Sequence, residues 1–96
     1  MTRPELFRFR LFVAGDAANS SLALNNLRAL CQANLPDQFD IEVVDVFREP
    51  RRALAESVFM TPTVIKLAPS PVRRIVGTLT HTDQVLHALG LATAIA

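Results

Sequence analysis

The chain is poor in residues on which several classes of protein depend. It has one cysteine, Cys31, and three glycines among 96 residues, and its ten basic and nine acidic residues leave a formal charge of +1. One cysteine cannot form an internal disulfide, and so few glycines cannot build a phosphate-binding loop. The near-neutral charge excludes a strong overall attraction to nucleic acid or to an anionic membrane.

Long apolar runs are also missing. No stretch of about 18 apolar residues is present, and the first residues do not combine a basic region, an apolar segment and a small-residue cleavage site. We therefore expect a cytoplasmic protein that has no membrane partner.

The composition that is present is typical of a folded protein. Half of the residues are hydrophobic and 20% are charged, so enough apolar surface is available to offset the entropy lost on ordering the chain. A chain of this length suits one hydrophobic core. We expect a single domain over residues 1–96.

The first half of the chain has the pattern of a strand, a helix and a strand. Phe7 to Val13 alternates apolar and basic residues and then becomes wholly apolar, as in a strand that enters a core. A helix with one buried face follows, because apolar residues recur at helical spacing. That face carries Ala23, Leu24, Leu27, Leu30 and Cys31, and the candidate capping residues are Asn19, Ser20 and Ser21. Pro36 ends the helix, and the β-branched run from Ile41 to Val46 predicts the second strand.

The second half predicts a short helix, a hairpin and a last helix. Pro50 suits the first turn of a helix over residues 51–57. Residues 63–67 and 72–76 are apolar runs whose link is too short for a helical crossover, so they should form an antiparallel hairpin. Thr80 and Asp83 have the spacing of a capping box for a helix that reaches about Leu91, with an apolar face made of Val85, Leu86 and Leu89.

The order βαβαββα predicts an α/β protein with a thioredoxin-like fold. Two parallel strands joined by a helix, then a hairpin and a terminal helix, give a mixed four-stranded sheet with helices on both faces. A thioredoxin-like sheet has the strand order 2-1-3-4, so the second strand is an edge whose unpaired backbone can accept a partner's strand. Glu42, Val44 and Val46 are therefore candidate partner-binding residues.

No residue pattern indicates catalysis or a metal site. A thioredoxin-like redox enzyme needs a cysteine at the start of the first helix, and residues 16–19 are Asp-Ala-Ala-Asn here. Cys31 lies far along that helix on its apolar face, where we expect it to pack into the core. His81 and His87 are six residues apart, which places them on different sides of a helix. We expect no catalytic residue, no metal and no cofactor.

Two further features concern structure and binding. Pro62 follows Thr61 where thioredoxin-like folds place a cis proline, so we expect a cis bond that turns the chain into the third strand. Arg73 and Arg74 form a basic pair whose planar groups suit carboxylate or phosphate recognition, with solvated surface charge as the alternative. Nucleic-acid binding would require exposed aromatic residues. The six phenylalanines lie mostly at the spacing of core residues, so we expect no nucleic-acid partner.

Four segments of the sequence resemble one known family in register. They are Leu11-Phe12-Val13-Ala14-Gly15, Val43-Val44-Asp45-Val46, Met60-Thr61-Pro62-Thr63 and Pro71-Val72-Arg73-Arg74-Ile75-Val76-Gly77. Over about residues 6 to 91 the chain is similar to the KaiB family of circadian-clock proteins, and also to the KaiB-like sensor domain of a clock histidine kinase.

The resemblance implies a non-enzymatic protein that binds a KaiC-like ring ATPase in competition with that histidine kinase. It also implies fold switching, because in the clock proteins a tetrameric ground state with a different second half exchanges with a monomeric thioredoxin-like state that binds KaiC. Arg73 and Arg74 match the Val-Arg-Arg of the family. The match favours a role for them as partner contacts or as part of an internal ion pair.

The departures from the family bear on that switch. Ala88 and Gly90 stand where the clock proteins have a Gly and an Asp that help to hold their ground state. Alanine is favoured over glycine inside a helix by about 1 kcal/mol, and Gly90 can end the last helix. We therefore expect the thioredoxin-like state, as a monomer or dimer rather than a tetramer. Leu22, Glu42 and Ser57 replace basic residues of the family, so a histidine kinase or another regulator is a further candidate partner.

Two alternatives of other classes stay open. One is a thiol-independent thioredoxin-like enzyme that uses the loop around Pro62. The other is a purely structural, self-associating domain.

Overall fold

The computed structural model describes residues 6–35 and 37–91. Their elements follow the predicted order and are β1 (Phe7–Val13), α1 (Ala18–Asn34), β2 (Phe39–Asp45), α2 (Pro50–Ala55), β3 (Thr63–Ala68), β4 (Arg73–Val76) and α3 (Thr82–Ala88). The predicted role of Pro36 in ending α1 lies outside the described residues.

The strands form a mixed four-stranded sheet of order β2-β1-β3-β4. β1 pairs parallel with β2 and antiparallel with β3, so that Phe12 lies between Val44 and Thr63. β4 pairs antiparallel with β3, as the short link between them predicts. This order confirms the thioredoxin-like arrangement, with β2 at one edge and β4 at the other.

Apolar side chains cover both faces of the sheet. On one face the residues of β1, α1, β3 and α3 form the larger cluster, which includes Phe9, Leu11, Leu27, Cys31, Val64 and Leu89. On the other face α2 packs over a smaller cluster that includes Phe12, Val44, Ala53, Val58 and Ile65. The prediction of helices on both faces is therefore confirmed, and Cys31 is fully buried as expected.

Both predictions of side-chain caps at helix starts were wrong. α1 begins at Ala18 after Ala17, and no side chain caps it. Ser20 lies inside its first turn, and its Oγ accepts a hydrogen bond from the Ala14 amide at 3.0 Å. α3 begins at Thr82 without a side-chain cap, because the Thr80 hydroxyl instead forms a 2.7 Å hydrogen bond with that of Thr78.

The end of α3 shows the cap that was expected at Gly90. Gly90 has φ of 75°, and its amide donates to the His87 carbonyl at 3.1 Å. The Leu91 amide donates to the Leu86 carbonyl at 2.8 Å. This pair of bonds is a Schellman motif, which ends the helix at Ala88 rather than near Leu91.

Other element bounds shift by a few residues. β2 starts at Phe39 and ends at Asp45, so Val46 follows the strand. α2 ends at Ala55, and the positive φ of 57° at Ser57 separates it from the loop that leads to β3. The Thr61–Pro62 bond in that loop is cis, the isomer expected from the sequence. None of the helices in the described ranges is long and apolar enough to cross a membrane.

Candidate docking surface

The β2 edge, defined as the outer backbone of Phe39–Asp45, pairs with no strand of the described residues. The Val46 amide donates to the Val13 carbonyl at 2.9 Å, so this position faces β1. Since the backbone groups of successive strand residues alternate in direction, those of Ile41 and Val43 face away from the sheet. These groups can bond with an added strand.

A network of ion pairs joins this edge to β1 and α2. The Glu42 carboxylate accepts from Arg10 Nε at 2.7 Å and lies 2.9 Å from Nη2 of Arg52. Arg10 also donates from Nη1 to Glu56 at 2.8 Å, and Arg52 Nη1 lies 3.4 Å from Glu49. The hydrogen bond from Arg10 and then that from Arg52 hold the pKa of the Glu42 carboxyl below its ordinary value. Glu42 therefore already has internal partners.

Val44 and Val46 differ from Glu42 in what they offer a partner. The Val44 side chain is fully buried against α2, and by the same alternation its backbone groups face β1, so in this fold Val44 does not contact an added strand through either. Val46 is half-buried and packs against the same cluster. On the side of the sheet that α2 covers, the β2 edge therefore offers a partner no exposed apolar side chain, and its outward backbone groups remain available.

Arg73 and Arg74 lie at the opposite edge of the sheet, on β4. Arg74 donates to the carbonyls of Glu56 and Ser57 at 2.7 and 3.2 Å, which ties β4 to the end of α2. Arg73 is exposed and makes no hydrogen bond or ion pair with the residues that the structure describes. The structure therefore separates the arginine pair from Glu42, and the predicted binding residues do not form one site.

Exposed aromatic residues were missed in the sequence. Phe47 and Phe59 are 75% and 80% exposed, and Met60 beside Phe59 is 65% exposed. All three lie at the end of the sheet where β1 and β2 finish and β3 begins. We call these three residues the apolar end. Their short segments have no strand or helix periodicity, so the sequence pattern did not separate them from core residues.

Asp45 fixes the backbone beside the apolar end. Its Oδ1 accepts from the Gly15 amide at 3.2 Å and from the Phe47 amide at 2.9 Å. A β-carbon at Gly15 would lie 3.5 Å from the Phe47 ring, and Gly15 has φ of 54°. The loop that precedes α1 and the loop that follows β2 are therefore held together.

The start of α1 carries no redox group. Residues 16–19 contain no thiol, and Cys31 is buried deep under the helix, where desolvation raises its pKa to about 12. A thiol this far from ionisation is a poor nucleophile. No group of histidine, cysteine and acidic residues in the described ranges could hold a metal ion.

The fold and this site define a thioredoxin-fold module whose helix start lacks the redox thiol. The fold matches solved structures at low sequence identity. The N-terminal domain of SasA from Synechococcus elongatus superposes with a TM-score of 0.76 at 18% identity, covering 100% of this chain and 94% of that domain. Thioredoxin 1 of Thermosipho africanus gives 0.69 at 21% identity, covering 92% and 96%.

Sequence comparison then identifies the family. The KaiB domain profile matches residues 10–91. The circadian clock protein KaiB3 of a Synechocystis species is 42% identical over 82 residues, which is 85% of this chain and 78% of the relative. The clock oscillator protein KaiB of Prochlorococcus marinus is 36% identical over 91 residues, covering 95% and 87%.

The chain belongs to the KaiB family, as its sequence segments indicate. This is a family of clock proteins and not of enzymes, in spite of the thioredoxin-like fold. The family resemblance and the fold class expected from the sequence are both confirmed.

Proposed function

We propose that this protein is a cytoplasmic adaptor that binds a KaiC-like ring ATPase in its thioredoxin-like state. The observation that carries the proposal is that a KaiB-family chain adopts the fold of the SasA N-terminal domain while exposing the apolar end and the β2 edge. A clock histidine kinase domain with the same fold would compete for that ring. A regulator of another kind is the alternative partner.

The apolar end supports docking by side chains. Three large apolar residues in contact with water at one end of a small sheet are costly unless a partner covers them. Aromatic residues and methionine are enriched at protein interfaces, because they bury a large area at low entropic cost. The Asp45 hydrogen bonds hold the loop of Phe47 in place before binding.

The β2 edge supports docking by backbone. Its outward groups at Ile41 and Val43 can pair with a partner's extended segment. The neighbouring ion pairs keep Arg10, Glu42 and Arg52 in fixed positions, so that this side of the edge is polar and ordered. Together the two features give a docking surface that has an apolar part at the sheet end and a polar part along β2, and stable interfaces contain both kinds of surface.

The test is size-exclusion chromatography with light scattering. The protein is measured alone and then with a KaiC-type ATPase from the same organism in the presence of ATP. We expect the protein alone to elute as a small species, and we expect it to co-elute with the ring when both are present. If the protein does not co-elute with the ring, its partner is a different protein. If its molar mass rises with concentration in the absence of the ring, the self-associating alternative is supported.

Single variants separate the two docking features. Phe59→Ser should weaken co-elution because it removes apolar area, whereas Val72→Ser, at an exposed apolar residue of the β3–β4 link, should not. Val43→Pro removes an outward-facing backbone donor and leaves the bonds to β1 intact. If Phe59→Ser and Val43→Pro both bind as the unaltered chain does, neither feature is the docking surface.

A further inference from the structure

The second open edge of the sheet lies on β4. The Gly77 amide donates to the Pro62 carbonyl at 2.9 Å, so this position faces β3. By the alternation of antiparallel strands, the backbone groups of Val76 and Arg74 face away from the sheet. No described strand pairs with β4 on that side. An extended segment could therefore be added there.

A groove runs beside this edge, between β4 and α3. It has a volume of about 480 Å³, within the range of ligand sites. Its apolar lining comes from Ile75, Leu79, Val85 and Ala88, and its polar lining includes Thr80, His81 and Gln84. None of the described residues that line it is an aspartate or a glutamate. The groove can thus accept an apolar side chain beside an added strand.

An exposed arginine, Arg73, lies beside the groove and two residues before Ile75 of its lining. Arg73 is opposite Lys66 in the strand register, and a β-carbon at Gly90 would lie 3.6 Å from Lys66 Nζ. Arg73 therefore lies near the end of α3, on the face of the sheet that α3 covers. Its exposed guanidinium makes no ion pair with a described residue. A carboxylate that reaches this end would gain a charge-assisted, bidentate hydrogen bond.

We propose that the groove between β4 and α3 binds an extended acidic segment of another protein, which pairs with β4 as an added strand. An apolar side chain of the segment enters between Ile75 and Val85, and a carboxylate on the same face binds Arg73. This is the geometry of peptide recognition by strand addition, where backbone bonds give affinity and alternate side chains give specificity. The site is on the edge opposite to the proposed ring-docking surface.

A second copy of this chain is a poor occupant of the groove. Pairing β4 with β4 of another copy would place four arginines, two from each copy, on adjacent four-residue strands. Like charges across paired strands are destabilising. Charge complementarity therefore favours an acidic partner over self-association.

The test is an NMR titration of the whole protein with two peptides. The acidic probe is Thr-Glu-Thr-Leu-Thr-Leu-Thr-Glu-Thr, blocked at both ends, which places Glu and Leu on one face in either strand direction. The matched control has Lys in place of both Glu. We expect the acidic probe to shift amide signals of β4 and α3 and the Lys peptide to bind at least about tenfold more weakly, as loss of a charged hydrogen bond predicts.

Protein variants locate the site. Arg73→Gln should weaken the acidic probe at least about tenfold for the same reason, whereas Arg51→Gln, an exposed arginine on α2, should leave its affinity unchanged. Ala88→Trp should block the groove from an exposed helix position. Val76→Pro should remove the outward donor of β4 and leave the bonds to β3 intact.

Three results would overturn the proposal. They are equal binding of the two peptides, amide shifts confined to the β2 edge, and no shift at millimolar acidic probe. Ring binding is read separately, because Val43→Pro should retain the acidic peptide and Val76→Pro should retain the ring. Loss of one activity therefore does not imply loss of the other. Circular dichroism of each variant shows whether it is folded before binding is interpreted.

Discussion

Single residues separate this protein from the thioredoxins whose fold it shares. The redox thiol of that fold requires a helix start, where the partial positive charge of exposed amides stabilises a thiolate. Here the corresponding residues are Asp16, Ala17, Ala18 and Asn19, and the thiol is on Cys31 in the core. Burial acts in the opposite direction, since it favours the neutral thiol.

We predict that Cys31 does not react in the folded protein. Its pKa of about 12 lies above the ordinary value of 9.0, so a thiol reagent at pH 8 should label the native chain slowly and the urea-unfolded chain at once. Because the folded pKa is the higher one, the stability from the neutral thiol is complete below pH 9 and is lost as pH rises towards 12. Rapid labelling of native protein would contradict this burial.

At the scale of elements, α2 depends on polar contacts as well as packing. Only Ala53 of this helix is buried, and the helix has six residues. Arg10 links Glu42 on β2 with Glu56 after α2, and Arg52 on α2 also reaches Glu42. Networks that join several charges are worth more than isolated surface pairs. The sheet and α2 are therefore joined through Glu42.

We predict that Glu42→Gln destabilises the protein by up to about 1 kcal/mol, since Glu42 is partly exposed and solvent screens its pairs. The control is Asp40→Asn, an exposed carboxylate on the same strand without an ion pair to a described residue. Urea unfolding at two salt concentrations measures both. A larger loss for Asp40→Asn would contradict the network.

The same carboxylate predicts a dependence on pH. Its folded pKa is lowered, so its stabilisation is present at neutral pH and is lost as pH falls below the ordinary value of 4.5 and through the lowered pKa. The stability difference between the unaltered chain and Glu42→Gln should therefore shrink on acidification. A difference that stays constant from neutral to acidic pH would exclude the ion pairs as its cause.

The cap at the end of α3 predicts how two substitutions change the stability of the fold. Gly90 has φ of 75°, a conformation that costs a residue with a β-carbon about 1–2 kcal/mol. Gly90→Ala should therefore lower the free energy of unfolding by about that amount. Ala88→Gly, at the exposed last residue of the helix, should cost at most about 1 kcal/mol. Denaturant titrations measure the free energy of unfolding of both variants. If Gly90→Ala leaves it unchanged, Gly90 does not stabilise the end of α3 as a cap.

At the scale of the whole molecule, the described elements already satisfy one another. Both sheet faces are covered, and no buried side-chain nitrogen or oxygen in the described residues lacks a hydrogen-bond partner. The two most exposed apolar side chains among the described residues, Phe47 and Phe59, both lie at the apolar end. The described residues therefore form a well-packed core and leave apolar side chains exposed at the surface, an arrangement that fits the proposed adaptor.

We predict that the purified protein is a monomer or dimer that stays in the thioredoxin-like state. Ala88 and the Gly90 cap both favour α3 as it stands in this fold. Light scattering across a concentration series measures the size, and NMR shows whether β3, β4 and α3 give one set of signals. A tetramer, or a second set of signals from this half, would contradict the prediction.

The sequence by itself determined the order of elements and the family, and the strand order was expected from the fold class that this order predicts. These follow from local patterns: apolar runs separate strands from helices, short links require hairpins, and the four matched segments lie within elements or their turns. It also determined the absence of a thiol at the helix start. The caps at the helix starts could not be predicted, because the backbone at Ala17 and His81 sets each start and other groups bind Ser20 and Thr80.

Only the tertiary structure decided the candidate sites. Glu42 binds Arg10 and Arg52 because β1 and α2 meet at β2, which the local sequence around position 42 does not show. Arg73 and Arg74 are neighbours in sequence, yet one faces the groove side and the other binds α2, since successive strand residues point to opposite faces. Binding surfaces join residues that are distant in the chain, so their composition depends on packing.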